Sequence, residues 1–306
     1  MHDRDCLHRF LFEHYPIRGQ LVHLDASWRA LLEHRNYPDA VRDTLGEAVA
    51  ASVLLAATLK FEGVLSMQLQ GQGPLHLLLA QCTSGLSVRA LARHREIIET
   101  RDFMALSGEG TLTVTLETDD LSRRYQGVVS LEGERLAQCL QGYFENSEQL
   151  PTRLWLNADR DGASGMLLQR LPNESMLQRP QHGASTAARS SDDIDDVWRR
   201  VQLIGDTLKP EELRALTDAQ ILHRLFNEDD VRLFESSPVS FRCRCSHERV
   251  SAMLQSLGEE EVTSILKERG NVEVHCDFCN RAYVFDAVDA TRLFAAGAAV
   301  NSSRVH

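Results

Sequence analysis

The sequence predicts an α+β protein with an N-terminal mixed or antiparallel sheet and helices, a helical linker and a small cysteine-bearing C-terminal domain. Three observations support this prediction. The first 171 residues alternate strand-like and helix-like stretches, the next stretch is polar and rich in small residues, and two cysteine pairs stand near the C-terminus. We place the core at residues 1–176, the metastable helical linker at 177–238 and the C-terminal domain at 239–306.

The first part of the core contains one short strand and two helices. The strand is predicted at residues 21–24, and Ser27 is placed to cap a helix that ends near His34. Apolar residues at helical spacing predict a second helix over about 38–60. Its most apolar run, 48–59, is shorter than the roughly 20 residues that a membrane span needs. We therefore interpret it as a buried core helix.

Strand signals dominate the rest of the core. Alternating apolar residues around a GQGP turn predict a hairpin over 64–82. Three further stretches are typical of strands: 111–117, 125–131 and 152–158. The segment 136–149 has helical spacing. Together these elements predict one sheet covered by helices.

A polar segment at 173–196 spans the boundary between the core and the linker and has few periodic apolar positions. Its acidic end, Asp192 to Asp196, suits a helix start because negative side chains are favourable at the positive end of the helix dipole. Three short helices follow, each near or below the roughly 12–15 residues at which an isolated helix is marginal. These helices therefore need a surface to pack against. The first has an apolar stripe formed by Val197, Val201, Ile204 and Leu208.

Two cysteine pairs predict a metal site. Cys243 and Cys245 form a C-x-C pair, and Cys276 and Cys279 form a C-x-x-C pair. Four thiolates satisfy the tetrahedral preference of zinc, with Zn–S distances of about 2.3 Å, and leave no coordination position for a substrate. We predict one zinc ion with these four ligands. The closed shell argues against hydrolytic zinc chemistry.

The same cysteines are suited to redox chemistry. The two sulfurs of each pair can close a disulfide with little backbone movement. Disulfide sulfur is a poor ligand, so oxidation would release the metal. A structural zinc ion contributes on the order of 10–16 kcal/mol to folding a small metal-bound unit, so its loss would unfold the domain. A purely structural zinc ion without switching remains an alternative.

Other sulfur, imidazole and cationic side chains are secondary candidates. His247 and His275 flank the pairs, but four sulfurs already fill the shell. Cys6, Cys82 and Cys139 are isolated, and we interpret them as inert thiols. Neighbouring arginines either offset the net −2 charge of a zinc tetrathiolate or are ordinary surface residues; they are Arg242, Arg244 and Arg281.

Composition narrows the classes of function. A formal charge of −11 and a pI near 5.6 disfavour a nucleic-acid binder, which needs clustered Lys and Arg. This weakens a zinc-ribbon binding module as an alternative. A thiol–disulfide oxidoreductase using the C-x-x-C pair is a third class, but the expected βαβ context is missing. The charged N-terminal stretch lacks the apolar segment of a secretory signal, so we expect a cytoplasmic protein. Because the metal shell is closed and the βαβ context is missing, we also expect that the protein is not an enzyme.

Several long stretches carry a resemblance to a known family. They include IRGQLVHLD, LGEAVAASVLLAATLKFEG, RYQGVVSL and GYFENSEQLPT in the core, then ILHRLFNEDDVRLFE, VSFRCRCSHERV and VEVHCDFCNRAYVFD. These stretches resemble the redox-regulated heat-shock holdases of the 33 kDa chaperonin family over nearly the whole chain. Two departures are visible, since His23 stands where arginine is expected and Ala90 where glycine is expected. Neither departure touches the cysteines.

The resemblance implies a chaperone that is inactive when reduced and zinc-bound. When oxidised and zinc-free, such a protein binds unfolding proteins without ATP during heat and oxidative stress. The resemblance also implies the disulfides Cys243–Cys245 and Cys276–Cys279, a homodimer on activation, and transfer of clients to ATP-dependent foldases. It implies neither a nucleic-acid nor a membrane partner.

Physical reasoning suggests how oxidation and client binding are coupled. When the metal leaves, the zinc domain loses its folding energy and the linker helices lose their dock. Their apolar faces then become exposed, and an exposed apolar patch binds other unfolded chains. The predicted client-binding residues are Val197, Trp198, Val201 and Ile204.

Overall fold

The computed structural model describes residues 4–118, 124–172 and 191–302, and it confirms the α+β class. The chain forms two compact units, Met1–Arg242 and Cys243–His306. The described linker helices belong to the first unit, and the three-part division with boundaries at 176 and 238 stays a prediction. Most of the polar segment at 173–196 lies outside the described residues. Within the described residues, no helix has the length and hydropathy needed to cross a membrane.

Fourteen strands and ten helices are described. The strands are β1 (Cys6–Phe12), β2 (Ile17–Leu24), β3 (Gly63–Gly71), β4 (Leu75–Thr83), β5 (Ser87–His94), β6 (Gly110–Thr118), β7 (Arg124–Ser130), β8 (Thr152–Ala158), β9 (Ala163–Arg170), β10 (Val231–Leu233), β11 (Ser237–Pro238), β12 (Ser240–Phe241), β13 (Val272–His275) and β14 (Ala282–Phe285). The helices are α1 (Ala26–Leu32), α2 (Asp39–Thr58), α3 (Phe103–Ser107), α4 (Leu136–Asn146), α5 (Ser191–Gly205), α6 (Pro210–Ala215), α7 (Asp218–Phe226), α8 (His247–Leu257), α9 (Glu259–Arg269) and α10 (Ala287–Ser302).

The strands of the first unit lie in two sheets, whereas the sequence predicted one. The first sheet has the order β10-β1-β2-β9-β8, with β11 also paired to β1, and all its pairs are antiparallel. The second has the order β12-β5-β4-β3-β6-β7, in which only β12 and β5 are parallel. In the described part of the first unit, both sheets are therefore antiparallel except for the pairing of β12 with β5 at one edge.

Helix α2 lies between the two sheets and contacts strands of both. Its side chains are buried on all sides, as expected of a helix that is apolar all round. Gly46 allows the close approach of α2 to β8, because an added Cβ would lie 2.4 Å from the Cβ of Ala158. The core helix predicted over 38–60 is confirmed.

One acidic residue of α2 predicts a pH-dependent stability. Burial raises the pKa of Glu47 to about 7, against the opposing effect of Arg135, whose guanidinium lies 3.2 Å away. The native protein therefore keeps this proton at pH values where the unfolded chain has lost it. Linkage makes stability fall as pH rises between about 4.5 and 7.

Glu47→Gln should remove the loss of stability at high pH, because glutamine does not ionise. We expect a gain of about 3 kcal/mol at pH 8 and little change at pH 4. Urea unfolding followed by tryptophan fluorescence across this pH range measures the effect, since Trp28, Trp155 and Trp198 all lie in the first unit. Glu145→Gln, at an exposed position on α4, is the matched control. An unchanged pH slope in Glu47→Gln would contradict the assignment.

The cap of α1 corrects a sequence prediction. The carboxylate of Asp5 accepts hydrogen bonds from the backbone N–H groups of Asp25, Ala26 and Ser27, at 3.2, 2.9 and 2.7 Å. Ser27 does not cap the helix, because its hydroxyl donates to the carbonyl of Val239 at 3.2 Å. The acceptor comes from the residue before β1, so local sequence did not reveal it.

The linker helices pack on the face of the first sheet that is turned away from α2. We call this contact the helix–sheet interface. The sheet contributes Phe10, Phe12, Ile17, Leu21, Met166 and Leu168, and the helices contribute Trp198, Val201, Leu208, Leu213, Ile221, Leu222, Leu225 and Phe226. The short helices therefore have the docking surface that their length requires, and strands of the first unit build it.

Close packing holds the helices on this sheet, and an ion pair joins α5 to the chain after α7. The rings of Phe12 and Phe226 meet edge to face with centroids 5.1 Å apart. Arg200 on α5 donates two hydrogen bonds to Asp229, at 2.6 and 3.0 Å. Gly205 lets α5 approach the ring of Trp155, where an added Cβ would lie 2.5 Å from Cζ2.

The predicted client-binding residues are covered in this state. Trp198 is 8% exposed and Val201 is 0% exposed, while Val197 and Ile204 are partly buried against the same cluster. All four side chains lie in or against the helix–sheet interface, and their role in client binding stays a prediction.

The chain between α7 and the first cysteine is held by three very short strands. β10 pairs with Phe10–Phe12, β11 pairs with Cys6–Leu7, and β12 pairs with Ser87–Val88. The last backbone hydrogen bond before the cysteines runs from the N–H of Arg242 to the carbonyl of Val88, at 3.0 Å. This segment connects the helix–sheet interface to the second unit along the chain.

The second unit contains α8, α9, the hairpin β13–β14 and α10. Helices α8 and α9 are separated at Gly258, whose φ of 103° favours glycine. Helix α10 was not predicted. The buried apolar core of the described part is small and consists of Val250, Leu254, Val262, Val272, Tyr283, Phe285 and Ala290. A unit of this size is marginal without disulfides, a metal or an assembly partner.

Candidate metal centre

The four cysteines come from two segments of the second unit. Cys243 and Cys245 lie between β12 and α8, whose first turn is capped by the hydroxyl of Ser246. Cys276 and Cys279 lie in the turn between β13 and β14, which pair from Val272–Phe285 to His275–Ala282. The hairpin and the start of α8 thus hold both pairs at one end of the unit.

The C-x-x-C turn is shaped by the backbone. The N–H of Cys276 donates to the carbonyl of Arg281 at 3.0 Å, and the N–H of Asn280 donates to the carbonyl of Cys276 at 2.8 Å. Asn280 has a φ of 55°, in the left-handed region that asparagine tolerates better than most residues. Asn280 therefore allows the chain to reverse directly after Cys279.

Asn280→Val should strain this turn, because the left-handed conformation costs about 1–2 kcal/mol for ordinary residues and valine is branched at Cβ. Since metal binding and folding are coupled, we expect roughly 5–30-fold weaker zinc affinity, measured by competition with a chromogenic chelator. Asn280→Gly should retain the affinity because glycine adopts this φ freely. Equal losses in the two variants would show that the side chain, and not the backbone conformation, matters.

The four sulfurs form a cage. Cys243 Sγ lies 3.6 Å from Cys276 Sγ, and Cys245 Sγ lies 3.4 Å from Cys279 Sγ. All four sulfurs lie within 4.8 Å of one another, and no disulfide joins them. A tetrahedral site with Zn–S bonds of about 2.3 Å separates its sulfurs by about 3.8 Å. This cluster could bind a metal ion, and its spacing fits zinc.

Burial and hydrogen bonding affect the thiols differently. Burial raises the pKa of Cys245, but hydrogen bonds with the hydroxyl of Tyr283 and with the other thiols lower it to about 7. Burial raises the pKa of Cys243 to about 12 and also raises the pKa of Cys279. A divalent cation at the centre would supply the charge that keeps such thiols ionised.

The flanking histidines and arginines are not part of the cage. The ring of His247 stacks near Phe285 with centroids 4.6 Å apart, and His275 Nε2 lies 2.9 Å from a carboxylate oxygen of Glu273. Arg281 contributes its main-chain carbonyl to the turn, and the carbonyl of Arg244 accepts a hydrogen bond from Arg249 at 2.9 Å. Arg242 belongs to the first unit.

The isolated cysteines are buried in the first unit. Burial raises the pKa of Cys82 to about 12 and also raises the pKa of Cys139, as expected of unreactive thiols. Cys6 lies in a polar cluster with His8.

Sequence reasoning missed two residues of the metal centre, Tyr283 and Asn280. For Asn280 the available signal was its position directly after Cys279, where the chain must turn. Nothing in the sequence indicated that Tyr283 faces Cys245.

Comparisons with known proteins identify the family. The family model described as Hsp33 protein matches residues 5–286. The 33 kDa chaperonin of Nitrosococcus oceani is 48% identical over 96% of each chain. This chain belongs to the Hsp33 family. The 33 kDa chaperonin of Methylobacillus flagellatus is 45% identical over 95% of this chain and 94% of that protein.

A solved Hsp33 structure has the same fold. The crystal structure of the 33 kDa chaperonin of Thermotoga maritima matches 96% of this chain and 99% of that chain, with a TM-score of 0.78 and 20% sequence identity. The Hsp33 family consists of chaperones that are not enzymes, so the oxidoreductase alternative is set aside. A chaperone acts on client proteins, which also sets aside the zinc-ribbon alternative.

Proposed function

We propose that this chain is a redox-regulated, ATP-independent holdase of the cytoplasm that protects unfolding proteins during oxidative and heat stress. The observation that supports this best is the cage of four sulfurs, all within 4.8 Å, in a unit with few buried apolar side chains. A metal in this cage would couple the oxidation state of the sulfurs to the folding of the unit.

In the reduced state, Cys243, Cys245, Cys276 and Cys279 hold one Zn²⁺ ion. Bound zinc supplies folding free energy, on the order of 10–16 kcal/mol for small zinc units. This exceeds what a single small hydrophobic core usually provides. In this state the linker helices stay on the sheet and the chaperone is inactive.

Oxidation converts the four thiolates into two disulfides, Cys243–Cys245 and Cys276–Cys279. Each S–S bond forms with loss of two electrons, which reduce one molecule of hydrogen peroxide to water, and the metal is released. Short sulfur–sulfur distances also join the two segments, at 3.4 and 3.6 Å. Bridges between the segments would close a long loop and stabilise the unit. Only bridges within each pair allow it to unfold, so we favour those.

Unfolding of the second unit reaches the linker along the chain. Residues 240–241, 237–238 and 231–233 form two- or three-residue strands, each held by few hydrogen bonds of about 0.5–1.5 kcal/mol net. Once the second unit is unfolded, the chain beyond Arg242 no longer constrains these strands. They fray in turn, and α7, α6 and α5 lose their anchor on the sheet.

Release of the helices uncovers two apolar surfaces. One is the helix face with Val197, Trp198, Val201 and Ile204, and the other is the sheet face with Phe10 and Phe12. Large exposed apolar patches bind other unfolded chains. They also favour association of two activated copies, consistent with a homodimer that passes its clients to ATP-dependent foldases.

Peroxide treatment at mildly raised temperature tests the proposal. We expect release of one zinc ion per chain, loss of four thiols, and suppression of aggregation of a denatured test protein by the treated form alone. Peptide mapping should find both disulfides within the pairs. Equal suppression by the reduced, zinc-loaded form would refute the switch, and bridges between the segments would refute the pairing.

A further inference from the structure

A second cluster of metal-ligating side chains lies at one end of the helix–sheet interface. Cys6 and His8 are two residues apart on β1 and therefore point to the same face of the sheet. His23 on β2 stands directly opposite Cys6 in the register. Asp218 is the first residue of α7. The cluster therefore combines a thiol, two imidazoles and a carboxylate from three elements.

The donor atoms of the cluster are close together. Cys6 Sγ lies 3.8 Å from His8 Nδ1, and His8 Nδ1 lies 2.5 Å from Asp218 Oδ2. His23 Nε2 lies 2.7 Å from Asp218 Oδ1. The donor atoms of Cys6, His8 and Asp218 all lie within 4.8 Å of one another. One Asp218 carboxylate thus stands between two imidazoles and beside a thiol.

The cluster is buried and incompletely satisfied. His23 and Asp218 are each 7% exposed, and Cys6 is 1% exposed. His23 Nε2 and Asp218 Oδ1 face each other at 2.7 Å, and neither atom has a further hydrogen-bond partner. A buried carboxylate beside imidazole and thiol side chains is the kind of donor set that binds a transition-metal ion.

We propose that Cys6, His8, His23 and Asp218 form a second metal site, for Zn²⁺ or a similar borderline divalent transition-metal ion. Thiolate, imidazole and carboxylate are all zinc ligands, and four of them complete a tetrahedral shell. The S–N distance of 3.8 Å suits such a shell. The N–O distances must lengthen to about 3.3 Å, which requires a small rotation of the Asp218 side chain.

The surroundings allow an ion to enter. A pocket of about 190 Å³ opens beside the cluster and is lined by Arg4, His8, His23, Leu216, Thr217, Asp218 and Ser236. The guanidinium of Arg4 is held by Asp25 at 3.6 Å and by the carbonyl of Ala215 at 3.2 Å. Its charge is therefore partly balanced by Asp25.

A metal at this site would join α7 to β1 and β2, because its ligands come from all three elements. It would add to the free energy that keeps the linker helices on the sheet. This consequence rests on the proposed function, in which the helices must leave the sheet, whereas metal binding itself does not. If the helices must leave the sheet, a metal at the second site makes activation less favourable.

Metal stoichiometry tests the site. The reduced full-length protein is equilibrated with Zn²⁺ or Co²⁺, and bound metal per chain is measured by elemental analysis. We expect two ions in the wild type and one in both Cys6→Ala and the double variant His8→Gln/His23→Gln. Cys82→Ala, which removes a buried cysteine of β4 outside the cluster, should keep two. Added metal should raise the Tm of the first unit in the wild type but not in the double variant.

The results that would contradict each of the two proposed sites can be told apart. Cys279→Ser should lose the ion of the sulfur cage and keep the one at Cys6, with a thiolate-to-cobalt absorption band weaker than that of the wild type. A wild type that binds only one ion, lost in Cys279→Ser and kept in the double histidine variant, would overturn the second site. A single ion that is lost in the double variant but kept in Cys279→Ser would instead overturn the four-cysteine centre.

Discussion

Cys279→Ser is expected to release the zinc ion and unfold the second unit in fully reducing buffer, without any oxidant. Cys279 is the buried member of the sulfur cage, and its Sγ lies 3.4 Å from that of Cys245. A serine hydroxyl is not among the ligands that zinc sites use, and three sulfurs leave the shell open. The loss is on the order of 10 kcal/mol, which is as large as the total stability of many domains.

Zinc content and hydrogen exchange measure this outcome. Residues 243–302 should exchange rapidly in Cys279→Ser, while α2 and the strands around it stay protected. Cys139→Ala is the matched control, because it removes a buried cysteine on α4 in the other unit. If Cys279→Ser lost its zinc and the second unit remained protected, metal binding would not be what folds this unit.

Phe12→Ala is expected to produce a holdase that is active in the reduced, zinc-loaded state. Phe12 is fully buried in the helix–sheet interface and contacts Phe226 of α7 with ring centroids 5.1 Å apart. Removing a buried phenylalanine costs about 3–5 kcal/mol. Short helices are stable only when they are docked, so a loss of this size in docking free energy should release α5 to α7 from the sheet. The cysteine cage should stay intact.

Suppression of aggregation and zinc content are measured together in this variant. The wild type should be inactive before oxidation, and Phe12→Ala should be active with one zinc ion still bound to the sulfur cage. Leu203→Ala is the control, because Leu203 lies on α5 but is 64% exposed. If the helices of Phe12→Ala exchange rapidly and the protein still binds no client, the surface covered by the linker helices is not the client site.

Local patterns were sufficient for some elements and insufficient for others. Strand β3 alternates apolar and polar residues, so its period was visible, and α2 has a long apolar helical run. By contrast, β9 is buried on both faces, with Met166 and Leu168 toward the linker helices and Leu167 toward α2. A strand covered on both faces has no alternation, and β9 was therefore missed.

The sequence by itself determined which four cysteines could bind a metal, the α+β class and the need of the linker helices for a docking surface. These follow from residue type and short spacing, because two cysteines a few residues apart are neighbours in any fold. Only the tertiary structure decided that the docking surface is the first sheet, that Asp5 caps α1, and that Cys6, His8, His23 and Asp218 meet. Those contacts join residues that are far apart in the sequence, such as Phe12 with Phe226 and His8 with Asp218, and only the folded first unit brings them together.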